Sequence, residues 1–186
     1  MSTLNNRSKT ALLVVDVQRD VVGQAHEVDR VVANIARLVD RARSQHVTVV
    51  WVQHEDDDMT AGSPGWEIVD ELPRRDGEPI VAKRHGDSFE ATELEAILHE
   101  HGVARLVVMG AQTDACIRCT LHGALARGYD TTLVGDAHTT EDMRAWGSPL
   151  SPEQAIAYTN MYWSFTNAPG RTCDVIDTDD VDFSAT

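Results

Sequence analysis

Apolar and polar positions along this chain alternate between two rhythms. Ala11-Leu12-Leu13-Val14-Val15 is an unbroken apolar run, the pattern of a strand covered on both faces. Val28, Val31, Val32, Ile35, Leu38, Val39 and Ala42 follow at helical spacing, with Arg and Asp between them. Val47-Thr48-Val49-Val50-Trp51-Val52 predicts a second buried strand, and Ile80-Val81-Ala82-Lys83 a short third. Residues 53–79 form a polar, irregular stretch holding Asp56-Asp57-Asp58 and Gly62-Ser63-Pro64-Gly65. Connections of that length are uncommon and are often functional. Thr92-Glu93-Leu94-Glu95 reads as a capping box opening a helix that ends before Gly102. Strand, helix and strand then repeat over 105–109, 114–127 and 129–134. Ser151-Pro152-Glu153-Gln154 starts another helix, with Ser as N-cap, Pro at the first helical position and Gln closing the box. Cys173-Asp174-Val175-Ile176 predicts a last strand.

Strands that alternate with helices argue for an α/β fold. We expect a three-layer α-β-α sandwich around a mostly parallel, Rossmann-like sheet of about six strands. The whole chain, 1–186, reads as one domain with a polar N-terminal extension (1–10) and an acidic C-terminal tail (177–186). In such sheets ligands bind beyond the carboxyl ends of the strands. Asp16, Gln53, Lys83 and the turn from Gly110 to Cys116 all fall at strand carboxyl ends, so four segments bring polar groups to one rim.

Charge narrows the partners. The formal net charge is −14, which repels a phosphate backbone and argues against nucleic acid. No run of about 18 apolar residues is present to span a bilayer. The early apolar stretch contains Asp16 and lacks a cleavage site, so it does not read as a signal peptide. Three cysteines, Cys116, Cys119 and Cys173, fit reduced thiols in a cytoplasm better than a disulfide framework.

The candidate chemistry centres on Cys116, in or near the first turn of the helix after Gly110. Orphan N–H groups and the helix dipole would favour a thiolate there, and the same donors could receive an oxyanion. Asp16 is either a turn cap or a general base whose pKa burial would raise. Lys83 is either solvated or a cation holding Asp16 ionised. Cys119, three residues after Cys116, would pack beneath it as a structural residue. His54, His85 and His138 lack the spacing of a tight metal site. Gln53, His54, Trp66, Phe89 and Trp146 are candidates for the wall of a substrate pocket.

Asp16, Lys83 and Gly110-Ala111-Gln112-Thr113-Asp114-Ala115-Cys116, in this order, resemble the isochorismatase-like cysteine hydrolase superfamily. That superfamily includes nicotinamidases, N-carbamoylsarcosine amidases and streptothricin hydrolases. The similarity covers about residues 12–167, with support from Val14-Val15-Asp16-Val17-Gln18, Ser88-Phe89 and Asp136-Ala137-His138-Thr139-Thr140. The resemblance implies Cys116 as nucleophile, Asp16 as base and Lys83 as supporting cation. It also implies a cis peptide between Ala111 and Gln112, with the Gln112 and Cys116 N–H groups as oxyanion hole. Metal-binding nicotinamidases carry Asp-x-His and a further His after the second strand. Gln53-His54-Glu55-Asp56 stands in that place here, so no metal and no cofactor is expected. The implied activity is C–N hydrolysis of a small amide, lactam or carbamoyl compound, on the streptothricin-hydrolase-like branch. The alternatives are an isochorismatase-type vinyl ether hydrolase, a nicotinamidase-like enzyme, a Cys116/Cys119 redox protein or a non-catalytic binding protein. Family resemblance also implies a homodimer or homotetramer.

Overall fold

The computed structural model describes residues 2–184. Six strands form one sheet: β1 (Lys9–Val15), β2 (Thr48–His54), β3 (Ile80–Lys83), β4 (Val103–Ala111), β5 (Asp130–Thr139) and β6 (Cys173–Ile176). Their order is β3-β2-β1-β4-β5-β6, and every pairing is parallel. The helices are α1 (Arg19–Val22), α2 (Val28–Ser44), α3 (Leu94–Glu100), α4 (Arg118–Arg127) and α5 (Pro152–Phe165).

The unbroken apolar runs follow from this layering. Successive side chains of a strand face opposite ways. Leu12 and Val14 pack with Val31, Ile35, Leu38 and Val39 of α2 on one face. Ala11, Leu13 and Val15 pack with Leu94, Leu98, Leu121, Ala124 and Trp163 of α3, α4 and α5 on the other. No face of the central strands meets water, so no polar alternation survives. The chain progresses outward from β1 through β2 to β3, then outward in the other direction from β4 through β5 to β6. The direction reverses between β1 and β4, the kind of switch point beside whose carboxyl strand ends ligands bind in open α/β sheets.

Several local expectations need correction. β1 begins at Lys9, so the N-terminal extension is shorter than composition suggested. The Thr92–Glu95 capping box does not form. Glu95 is drawn instead to Arg7 (2.9 Å) and the Tyr129 hydroxyl (2.7 Å), while the Thr92 hydroxyl donates to Ser88 O (2.6 Å). The Ser151/Gln154 box does form at the start of α5. Within the acidic tail, Val181 and Phe183 are buried against the α2 face.

Candidate active site

Asp16 follows β1 directly. Its backbone is left-handed (φ 51°), a conformation Asp tolerates better than most residues, and its N–H donates to Val52 O of β2 (2.9 Å). Its carboxylate is thereby fixed at the carboxyl end of β1 and fully buried. Lys83, the last residue of β3, reaches it: Lys83 Nζ lies 2.7 Å from Asp16 Oδ2 and donates to Cys116 Sγ at 3.2 Å. The structure therefore brings together three residues that are distant in sequence. His54 Nδ1 stands 3.4 Å from the same Nζ, and its Nε2 stands 3.2 Å from Asp56 Oδ2.

Cys116 does not sit in an ordinary α-helical turn. Thr113–Ile117 is a π-helical turn that feeds into α4 at Arg118. Gly110 makes the approach possible. Its φ is 122°, and a Cβ at this position would collide with the Val15 carbonyl oxygen, so only glycine fits. The Ala111–Gln112 peptide is cis. Gln112 O accepts from the Ala115 and Ile117 N–H groups, both at 3.1 Å. The Gln112 side chain ties the turn to Val21 O (3.3 Å) and accepts from the Thr140 hydroxyl (3.2 Å), which also reaches Asp114 (2.6 Å).

Electrostatics revises one expectation. Burial pushes the Cys116 thiol up to about 12, and the Asp16 charge adds to this beyond what Lys83 offsets. The resting sulfur is a protonated thiol, not a standing thiolate. Burial likewise raises Asp16, against the opposing pull of Lys83 and a hydrogen bond with Cys116. Burial works against the Lys83 ammonium, but Asp16 and Cys116 together outweigh it, and its net direction is up. Lys83 Nζ touches both Asp16 and the thiol sulfur, and Asp16 stands within hydrogen-bond reach of the thiol whose proton it would take.

The pocket candidates divide. Gln53 is buried and donates to Trp66 O (2.9 Å), so it ties the long loop down. Gln18 does the same, donating to His54 O and Trp66 O (both 2.9 Å). Phe89 packs in the core, 5.7 Å from the Tyr129 ring and 4.7 Å from the Arg127 guanidinium. Trp146 is 83% exposed on a short 3-10 turn (Met143–Trp146), carried outward from the sheet. Cys119 is exposed beside Gly86 instead of lying under Cys116. Among the described residues no group of three or more His, Cys, Asp or Glu side chains could hold a metal. Nor is any described helix long and apolar enough to cross a membrane. His138, weighed from the sequence as a metal ligand and as part of the supporting phrase 136–140, instead contacts Thr113 of the nucleophile turn (2.7 Å), a contact the sequence did not signal.

Comparison with known proteins places the chain in a family. The chain is 36% identical over 147 residues to streptothricin hydrolase of Streptomyces noursei, covering 75% of this chain and 58% of that protein. The chain thus spans less than two thirds of that relative's length. It is 26% identical over 171 residues to ureidoacrylate amidohydrolase of Serratia proteamaculans, covering 69% of each. The crystal structure of a cysteine hydrolase from Pseudomonas syringae superposes with a TM-score of 0.81 at 21% identity, over 92% of this chain and 89% of that one. The isochorismatase domain family matches residues 10–168, and the chain belongs to this family of hydrolases.

Proposed function

We propose that the chain is a cysteine-dependent amidohydrolase that cleaves a C–N bond of a small amide, lactam or carbamoyl compound through a thioester. One observation carries this reading: Lys83 Nζ bridges Asp16 (2.7 Å) and Cys116 (3.2 Å) in a buried cluster. A base, a cation and a thiol in mutual contact are the parts nucleophilic acyl transfer needs.

Asp16 takes the thiol proton as Cys116 Sγ attacks the substrate carbonyl carbon. The S–C bond forms, and the carbonyl electron pair moves to oxygen. The Gln112 and Cys116 N–H groups receive that oxyanion, a contribution worth ~10²–10³ in rate per donor. Collapse breaks the C–N bond, and the nitrogen leaves with the proton held by Asp16. Water then gives a proton to Asp16 and its oxygen attacks the thioester. The C–S bond breaks and Cys116 regains the proton. The sum is amide plus water giving acid plus amine. Lys83 stays positive throughout and keeps Asp16 ionised at the start of each half.

The likeness to a protein named as an amidohydrolase favours C–N chemistry over vinyl ether cleavage. A panel of amides, lactams, carbamoyl compounds and isochorismate tests the reading. Ammonia or amine release that Cys116→Ala abolishes supports it. Pyruvate release that survives in Cys116→Ala would replace it with vinyl ether hydrolysis, in which Asp16 protonates the substrate.

A further inference from the structure

We propose that His138 is a positioning residue for the nucleophile, holding the Cys116 turn in place through the chain Asn160–His138–Thr113. The inference rests on Cys116 being the nucleophile, as proposed above.

His138 is where it is because β5 is irregular. β4 and β5 pair at Val108 with Leu133 and next at Gly110 with His138. β5 therefore spends residues 134–137 where β4 spends only Met109. Such bulges re-aim side chains beside sites. This one carries His138 to the carboxyl end of β4, under the turn that starts at Thr113.

The hydrogen bonds there allow one arrangement. The Asn160 amide NH2 donates to Gly135 O (2.9 Å), so its carbonyl oxygen faces His138 Nε2 (2.8 Å). A carbonyl oxygen only accepts, so Nε2 carries the ring proton. Nδ1 is then the acceptor for the Thr113 hydroxyl (2.7 Å). Burial pushes His138 down to about 4, against weaker pulls from Asn160 and Asp136, so the ring stays neutral and this tautomer persists. Thr113 and His138 are both inaccessible to water, so none can substitute for either contact. Thr113 opens the π-helical turn, and Cys116 is in that turn. The helix α5 thus reaches the nucleophile through one imidazole.

The test uses iodoacetamide alkylation followed across pH at each cysteine by peptide mass spectrometry. Cys119 and Cys173 serve as internal references, and no substrate is needed. In wild type, Cys116, whose thiol burial pushes up to about 12, should alkylate appreciably only at high pH. Thr113→Val removes the donor with little change in shape. It should release Cys116 toward an ordinary thiol and raise its alkylation at pH 8 by about tenfold or more. Cys119 should stay within about twofold, and Thr113→Ser should restore the wild-type profile. A Cys116 profile unchanged in Thr113→Val would overturn the proposal. Failure of the hydrolase reading shows separately, as turnover retained by Cys116→Ala.

Discussion

Lys83 Nζ lies 2.7 Å from Asp16 Oδ2, and both side chains are shut off from solvent. Two opposite charges in such a place depend on each other. Removing one leaves the other buried without compensation, at ~3–5 kcal/mol. Lys83→Met should therefore lose about 3 kcal/mol of stability near neutral pH. The loss should shrink as pH falls. Asp16 sits above its ordinary value because of burial, and without Lys83 it rises further, so the folded state binds its proton before the unfolded state does. Urea denaturation at pH 5 and pH 8 checks the sign. The double variant Asp16→Asn, Lys83→Met should recover part of the loss.

The same pair acts on Cys116 in opposite directions. The Asp16 charge raises the thiol and Lys83 lowers it. Asp16→Asn should therefore speed Cys116 alkylation at pH 8, while Lys83→Met should slow it. Turnover should fall in both: without Asp16 the thiol loses its base and the leaving nitrogen its proton donor, and without Lys83 the thiol is harder to ionise. Alkylation rates at Cys116, set against Cys119, separate the two effects.

His138 makes acid destabilising. Burial places it at about 4 in the folded chain, against 6.5 for an ordinary His. Between these values the unfolded chain binds the proton and the folded chain does not. Stability from this residue is full above 6.5 and is lost as pH falls toward 4, by up to about 3 kcal/mol. Wild type and His138→Asn should converge in stability as pH drops through that window, and urea titrations at several pH values read the convergence directly.

Gly110 has no tolerated replacement. A Cβ there would run into Val15 O, a backbone atom of the central strand that cannot swing away. Gly110→Ala should cost more than about 4 kcal/mol, beyond the usual range for a point substitution. The soluble yield and the thermal midpoint of the purified variant measure it.

The layering and the site were legible to different depths. Runs such as Leu12 to Val15 announce a strand covered on both faces, and the spacing of Ile35, Leu38 and Val39 announces the helix that covers one of them. Placing Asp16, Lys83 and the Cys116 turn at strand ends was enough to anticipate that they share a rim. Details set by tertiary competition were not legible. Glu95 leaves its capping box for Arg7 and Tyr129, residues far away in sequence. The π-helical turn and the β5 bulge arise from packing between neighbouring strands, and no local propensity encodes them. Phe89 and Trp146 looked alike as loop aromatics, yet one is buried in the core and the other stands in solvent.

The proposed reaction requires that the Cys116 sulfur become acylated. Mass analysis of acid-quenched wild type during turnover of a cleaved amide addresses it most directly. The Cys116 peptide should carry the substrate's acyl group as a thioester, labile to hydroxylamine, which Cys116→Ala cannot form. Steady release of amine with Cys116 unmodified at every quench time, matched by equal release from Cys116→Ala, would contradict it.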